Sequence, residues 1–324
     1  MRVLITGGAG FIGSHLCETL LDKGYEVGVI DNLSTGRKRN IQHLLTNENF
    51  EFFQTTIMNE WVLEDLISQS DVVYHLAAAV GVKLIIEKPV ETIETNIRGT
   101  ENVLKFANKA KKKALIASTS EVYGKYPHKM LRESDDRQYG PTTAHRWSYA
   151  ASKAIDEFLA LAYHKEYNLP IIIARLFNTV GPRQVGQYGM VLPNFVKQAL
   201  RNEPITIFGD GKQSRSFTYV NDSVNVLIGL MENDEAVGKV FNVGNSKEIT
   251  IEELAKRVKQ LSGSKSELHY IPYEEAYEGG FEDMHRRCPD NSAIKKLLGY
   301  KPSKSLDEII QSTIDYHREL MTKM

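Results

Sequence analysis

Cysteine is nearly absent from this chain of 324 residues: only Cys17 and Cys288 occur, far apart in sequence. They form no CxxC pair and no metal-ligand spacing, which excludes a disulfide framework and a structural zinc site and fits two inert thiols in a reducing compartment. An excess of charge of either sign is missing too. Lys+Arg 40 against Asp+Glu 41 leaves a net charge of −1, so no nucleic-acid or membrane surface is expected and anionic ligands need local sites. The N-terminus places one basic residue before a short apolar run that goes straight into glycines, which is neither a signal peptide nor a membrane span; a cytoplasmic location is the expectation. No Pro/Gly/Ser-rich linker, internal repeat or low-complexity tract divides the chain. What is present is ordinary for a globular protein, 42% hydrophobic and 25% charged residues, at a length that suggests one large or two modest domains.

The first informative stretch is the N-terminal one. Arg2 to Thr6 reads as a buried parallel strand, and Gly7, Gly10 and Gly13 follow at once. A helix with Leu16, Leu20 and Leu21 inward comes next. Strand, glycine turn and helix in this order suit a dinucleotide pyrophosphate: missing Cβ atoms let the backbone approach, and the helix N-terminus offers unpaired N–H groups. Phe11 and Ile12 lie within the same turn and are counted with it. The second strand, Tyr25 to Ile30, ends at Asp31, 18 positions after Gly13, where a carboxylate meets the adenosine ribose; Asn32 adjoins it. Asp31 would repel a 2′-phosphate, so NAD is expected rather than NADP, although Arg37, Lys38 and Arg39 could turn toward such a phosphate.

Strands around 51–55 and 71–76, with a helix between them, imply a parallel sheet wrapped by helices. Ala77 to Ala79 and Gly81 then leave room for a ring at a strand's carboxyl end. A strand at 114–117 opens into Ser118-Thr119-Ser120-Glu121, and after a loop up to Arg146 comes a helix from Ser148, in which Ile155, Phe158, Leu159 and Ala162 recur at helical spacing. In that helix Tyr149 and Lys153 are four residues apart and share a face. A phenol titrates near pH 10; an ammonium beside it would lower that value and make Tyr149 a proton acceptor. Taken alone, the pair is more often just a half-buried tyrosine and a lysine.

Context reverses those odds. With Gly7-x-x-Gly10-x-x-Gly13, Asp31, Ser118 to Gly124, Tyr149-x-x-x-Lys153, Ala174 to Asn178, Gly181-Pro182-Arg183 and Ser214 to Val220 in order, the chain resembles the extended short-chain dehydrogenases/reductases that act as nucleotide-sugar epimerases and dehydratases. The resemblance implies an α/β fold: a Rossmann-type doubly wound sheet over residues 1–180 that binds NAD, and a smaller mixed α/β region, 181–324, for a UDP-sugar, with the chain free to cross between them. It implies that Tyr149 takes the proton from sugar O4 while C4 is oxidised, that Thr119 shares that proton, and that Lys153 lowers the tyrosine's pKa and holds the nicotinamide ribose. Asn178, Arg215 and Arg287 match phosphate or ribose contacts, and Phe208 could stack on the base. Met190, Tyr188 and His145 are candidates for shaping the sugar pocket. A homodimer through the helices near 90–110 and 148–165 is expected.

The fate of the 4-keto sugar stays open on these residues. Glu121 is placed to remove the C5 proton in elimination or decarboxylation, yet Ser120 stands where many 4,6-dehydratases carry an aspartic acid. UDP-glucuronate decarboxylases share Thr119 to Gly124 and Arg215-Ser216-Phe217, but tend to carry arginine where this chain has Met190. The motifs favour 4-epimerisation of a UDP-hexose derivative, with dehydratase or decarboxylase chemistry as the alternative. A non-catalytic NAD-binding sensor is a third reading, against which the intact Thr119, Tyr149 and Lys153 stand.

Overall fold

A computed structural model describes residues 1–81, 87–127, 129–186, 190–276 and 284–322. Tyr188 lies outside the described residues. Six strands follow the N-terminal pattern: β1 (Arg2–Thr6), β2 (Glu26–Ile30), β3 (Phe50–Phe53), β4 (Val72–His75), β5 (Lys113–Thr119) and β6 (Ile171–Leu176). All are short, and all but the edge strand β3 are mostly buried, as parallel strands covered on both faces must be. With a later strand, Lys239–Val243, they form one seven-stranded sheet in the order Lys239–Val243, β6, β5, β4, β1, β2, β3, parallel throughout. This is the doubly wound arrangement that the alternation predicts, and its strand order reverses between β1 and β4, where such sheets open a ligand crevice.

Apolar cores cover both faces. On one side Leu16, Cys17 and Leu20 of the helix Phe11–Asp22 pack with Val224, Leu227 and Leu230 of the helix Val220–Met231. On the other, Leu63 and Ile67 of Glu60–Ser68 pack with Val103, Leu104 and Ala107 of Pro89–Ala110. The helix Val220–Met231 and strand Lys239–Val243 thus belong to the large sheet although they follow residue 181: the chain returns after leaving. A smaller layer remains, in which helices Val191–Leu200, Ile251–Ser262 and Leu306–Thr322 share a third core around Phe195, Leu254 and Ile310. Its strands include Ile205–Phe208, paired with Leu268–Ile271, and Ser214–Ser216, paired with Glu248–Thr250 and Arg286–Arg287. No helix among the described residues is long and apolar enough to cross a membrane.

Candidate active site

A cleft of about 1170 Å³ runs along the carboxyl ends of β1, β4, β5 and β6 and on to the smaller layer. Its first end is built from backbone. Gly7 takes φ +75°, and a Cβ on it would lie 2.8 Å from the Ala77 nitrogen; one on Gly13 would lie 2.3 Å from the Gly7 oxygen. Side chains are therefore excluded where the turn folds against the first helical residues. That helix starts at Gly10 with no side-chain cap, leaving its first amides for a ligand. Asp31 closes the turn by accepting from Ala9 N at 2.9 Å and Leu33 N at 2.8 Å; burial raises its pKa against the pull of those two bonds. Phe11, Ile12, Asn32 and Ala77 line the same end, with the Asn32 carboxamide oxygen accepting from Ser34 N and Ala77 N donating to the Thr6 hydroxyl. This side-chain-free cradle fits a dinucleotide pyrophosphate, with Asp31 at the ribose position.

The middle of the cleft is built from charged side chains. Thr119 ends β5, its hydroxyl accepting from Glu121 N at 3.2 Å, and Ser120 is buried. The Glu121 carboxylate is held from two sides, by Arg146 Nη1 at 2.5 Å and by Arg287 Nη1 at 3.2 Å. Tyr149 lies beside them, buried. Burial raises its phenol well above the usual value, with the Glu121 and Asp156 carboxylates acting in the same direction and Thr119 and Arg146 acting against it. The Lys153 ammonium donates to Asp156 Oδ2 at 2.7 Å.

One correction concerns the helix Ser148–Tyr167. Its inward face is polar, with Tyr149, Ser152, Lys153, Asp156 and Glu157 buried, while Ile155 and Phe158 are 49% and 64% exposed. Glu157 accepts both Arg175 Nε and Nη2 at 2.8 Å and the Ser118 hydroxyl at 2.6 Å. Arg175 also donates to the Tyr123 hydroxyl at 2.7 Å, so one buried network joins this helix to the turn carrying Thr119 and Glu121.

At the far end Asn178, Met190, Phe208, Arg215 and Arg287 all line the cleft, as the sequence places them. Asn178 Nδ2 donates to the Ser216 carbonyl at 2.9 Å, and the buried Arg215 donates to its own neighbour's carbonyl, Ser214 O, at 2.8 Å. His145 is exposed and does not line the cleft. Sequence reasoning assigned no role to Arg146, Asp156 or Arg183. Asp156 stands three residues after Lys153 on the helix Ser148–Tyr167, so helical spacing of the kind that pairs Tyr149 with Lys153 could have found it, whereas Arg146 lies in the turn before that helix. Arg183 lines the cleft and donates to Glu18 Oε1 at 2.5 Å, tying the loop after β6 to the first helix. Cys17 and Cys288 are buried, free and raised in pKa by that burial, Cys288 to about 11.

A glycine cradle at the crossover of a parallel sheet, with a threonine at the end of β5 and a tyrosine and a lysine on the helix Ser148–Tyr167, defines an NAD-dependent enzyme of the short-chain dehydrogenase/reductase class. The chain belongs, within that class, to the nucleotide-sugar epimerase/dehydratase family: the family model for GDP-mannose 4,6 dehydratase matches residues 4–313. It is 42% identical over 320 residues, 98% of both chains, to a UDP-N-acetyl-alpha-D-glucosaminuronate decarboxylase of Bacillus cytotoxicus. It is 40% identical to UDP-glucuronic acid decarboxylase 1 of Xenopus tropicalis, covering 98% of this chain and 72% of that one. Among solved structures it resembles the UDP-glucuronic acid 4-epimerase of Bacillus cereus in complex with UDP-glucuronic acid and NAD, with a TM-score of 0.88, 33% identity and coverage of 99% and 100%. NAD is the cofactor of this family.

Proposed function

We propose that the protein is an NAD-dependent decarboxylase of a UDP-uronic acid, UDP-glucuronic acid or its 2-acetamido counterpart. The observation that carries this reading is the pair of guanidiniums, Arg146 and Arg287, that meet at Glu121 on the cleft wall. Guanidinium forks at this place suit a sugar that carries a carboxylate of its own. The likeness to the two decarboxylases named above supports the same reading, the alternative to the 4-epimerisation of a UDP-hexose that the motifs favoured.

Bound in the cradle of Gly7, Gly10 and Gly13, NAD would supply the reversible oxidation at C4. Tyr149 accepts the O4 proton, with Thr119 beside it and Lys153 toward the nicotinamide ribose. The new C4 carbonyl stands β to the C6 carboxylate, so the C5–C6 bond can break: CO₂ leaves, and the bonding electron pair becomes an enolate on O4 and C5. The negative charge moves from the carboxylate to the enolate while Arg146 and Arg287 stay in place, their orientation set by Glu121. A proton then adds at C5, C4 is reduced, and Tyr149 returns its proton to O4, giving a UDP-pentose with no net redox change. Arg215, Asn178 and Phe208 would hold the diphosphate and base, and Met190 would face the sugar.

A second reading, 4-epimerisation of the same uronate, is favoured by the likeness to the Bacillus cereus 4-epimerase. Proton NMR of products in D₂O separates the two. Release of CO₂ with deuterium at C5 supports decarboxylation; a C4-inverted uronate with C5 still protonated overturns it in favour of epimerisation.

The division into a cofactor region, 1–180, and a nucleotide-sugar region, 181–324, enters the same proposal, with Val220–Met231 and Lys239–Val243 returning to the first. So does a homodimer covering the exposed Ile155 and Phe158 of one helix and Val90 and Ile93 of the neighbouring Pro89–Ala110. Light scattering of wild type and Phe158→Glu tests it, with a monomeric wild type as the contrary outcome.

A further inference from the structure

The helix Ser148–Tyr167 carries three ionisable groups on one buried face, Tyr149, Lys153 and Asp156, at steps of four and three residues. Lys153 is 2% exposed and Asp156 not at all. The Lys153 ammonium donates to Asp156 Oδ2 at 2.7 Å, and Asp156 is its only hydrogen-bond acceptor among the described residues. The other oxygen, Asp156 Oδ1, is buried without a hydrogen-bond partner.

A buried carboxylate present only for packing would satisfy both oxygens. This one is aimed at a single group and held there by that group alone, two turns along the helix from Tyr149. We propose that Asp156 is a positioning residue: it fixes where the Lys153 ammonium lies and how much of that charge reaches the Tyr149 phenol. The inference rests on Tyr149 as the proton acceptor but not on the identity of the sugar.

Charges reach the phenol from three elements. Asp156 acts from its own helix and Glu121 from the turn after β5, both raising it, while Arg146, before the helix, lowers it. His75 of β4 faces Lys153 but carries no charge, since burial and then the Lys153 ammonium lower it to about 3. Asp156 is therefore the anion whose removal changes the balance at both Lys153 and Tyr149. With its charge gone Glu121 is the only charge left raising the phenol, the ammonium is no longer paired, phenolate is favoured, and proton acceptance extends to lower pH.

The test compares NAD-loaded wild type, Asp156→Asn and Asp156→Glu. Two quantities are followed: the acid limb of kcat/KM against pH, and the ionisation of Tyr149 in protein labelled with ¹³Cζ-tyrosine, its resonance assigned from Tyr149→Phe. Asp156→Asn should move the acid limb to lower pH, with about tenfold more phenolate at a given pH, and Asp156→Glu should restore the wild-type profile. An Asp156→Asn enzyme whose limb and resonance both stay in place, or move to higher pH, overturns the proposal. If Asp156→Asn does not fold, Lys153→Met is compared with Lys153→Met/Asp156→Asn, which leaves no buried charge alone. The double variant should then hold more phenolate, and equality would overturn the inference. Turnover retained in Tyr149→Phe would instead remove the proton-acceptor reading itself.

Discussion

The two ends of the cleft are made of different materials. At the cofactor end the recognition surface is backbone: Gly7, Gly10 and Gly13 matter because they have no side chain, and Ala77 because it has a small one. Beyond it charged side chains form the wall, Glu121 between Arg146 and Arg287, with the buried pairs Lys153–Asp156 and Arg175–Glu157 outside the lining. The first kind of site is specified by what fits a local turn and tolerates nothing larger. The second is specified by how charges from distant parts of the chain compensate one another, so that removing one partner exposes the cost of the other.

The widest separation between the two ends should come from Tyr149→Phe. It is expected to lower turnover by about 10²- to 10⁴-fold, the range for a positioned proton-transfer group, with the NAD dissociation constant little changed; steady-state rates and calorimetric titration with NAD check the two halves.

Next is the network behind the site. Glu157→Gln leaves Arg175 buried without its carboxylate and should cost about 3–5 kcal/mol of stability in urea unfolding at neutral pH. Burial works to raise the Glu157 pKa, but the Arg175 and Ser118 bonds prevail and hold it below the usual carboxylate range. A depressed pKa contributes stability that is present above the unfolded value and lost as pH falls through the folded one. The difference between wild type and variant should therefore shrink below about pH 4, the ordinary carboxylate range; a difference independent of pH would remove this account.

Arg146→Met tests the sugar end by itself. It should weaken kcat/KM for the UDP-uronate by about 2–5 kcal/mol, or roughly 30- to 4000-fold, the range for removing one partner of a buried charge pair. UDP alone should bind within a few-fold of wild type; equal losses for both ligands would mean that Arg146 does not read the sugar.

The smallest effect belongs to the cofactor end. Gly13→Ala places a Cβ 2.3 Å from the Gly7 oxygen, which must shift the turn at about 1–3 kcal/mol. Weaker NAD binding and a lower melting temperature are expected together, and an unchanged NAD affinity would show that the turn can give way.

Much of the fold was legible because its signals are local. β1, the glycine turn and the first helix occupy consecutive residues, and β4 and β5 fall at the runs 71–76 and 114–117 where strands are expected. The Tyr149 helix was legible in extent and in its pairing of Tyr149 with Lys153, but not in which face it buries. An apolar stripe normally turns inward, whereas here Arg175, Ser118 and Arg137 compensate a polar face and leave Phe158 outside. The contrast with Ile251–Ser262 is instructive: there Ile251, Leu254, Ala255 and Val258 are buried as spacing predicts, behind a Thr250–Glu253 capping box, because no buried charge competes for that face.

By itself, then, the sequence determined the strand–turn–helix cradle, the parallel sheet and the residues from which a C4-oxidising site could be assembled, since each depends on spacing within one element or on a turn that only glycine can make. Tertiary structure alone decided which charges meet. Arg287 reaches Glu121 across 166 positions, and Lys239–Val243 returns to pair with β6 after the chain has left to begin the smaller layer. Such pairings carry no local signature, because the energy that selects them, compensation of buried charge and completion of a sheet edge, exists only once the distant segments are packed together.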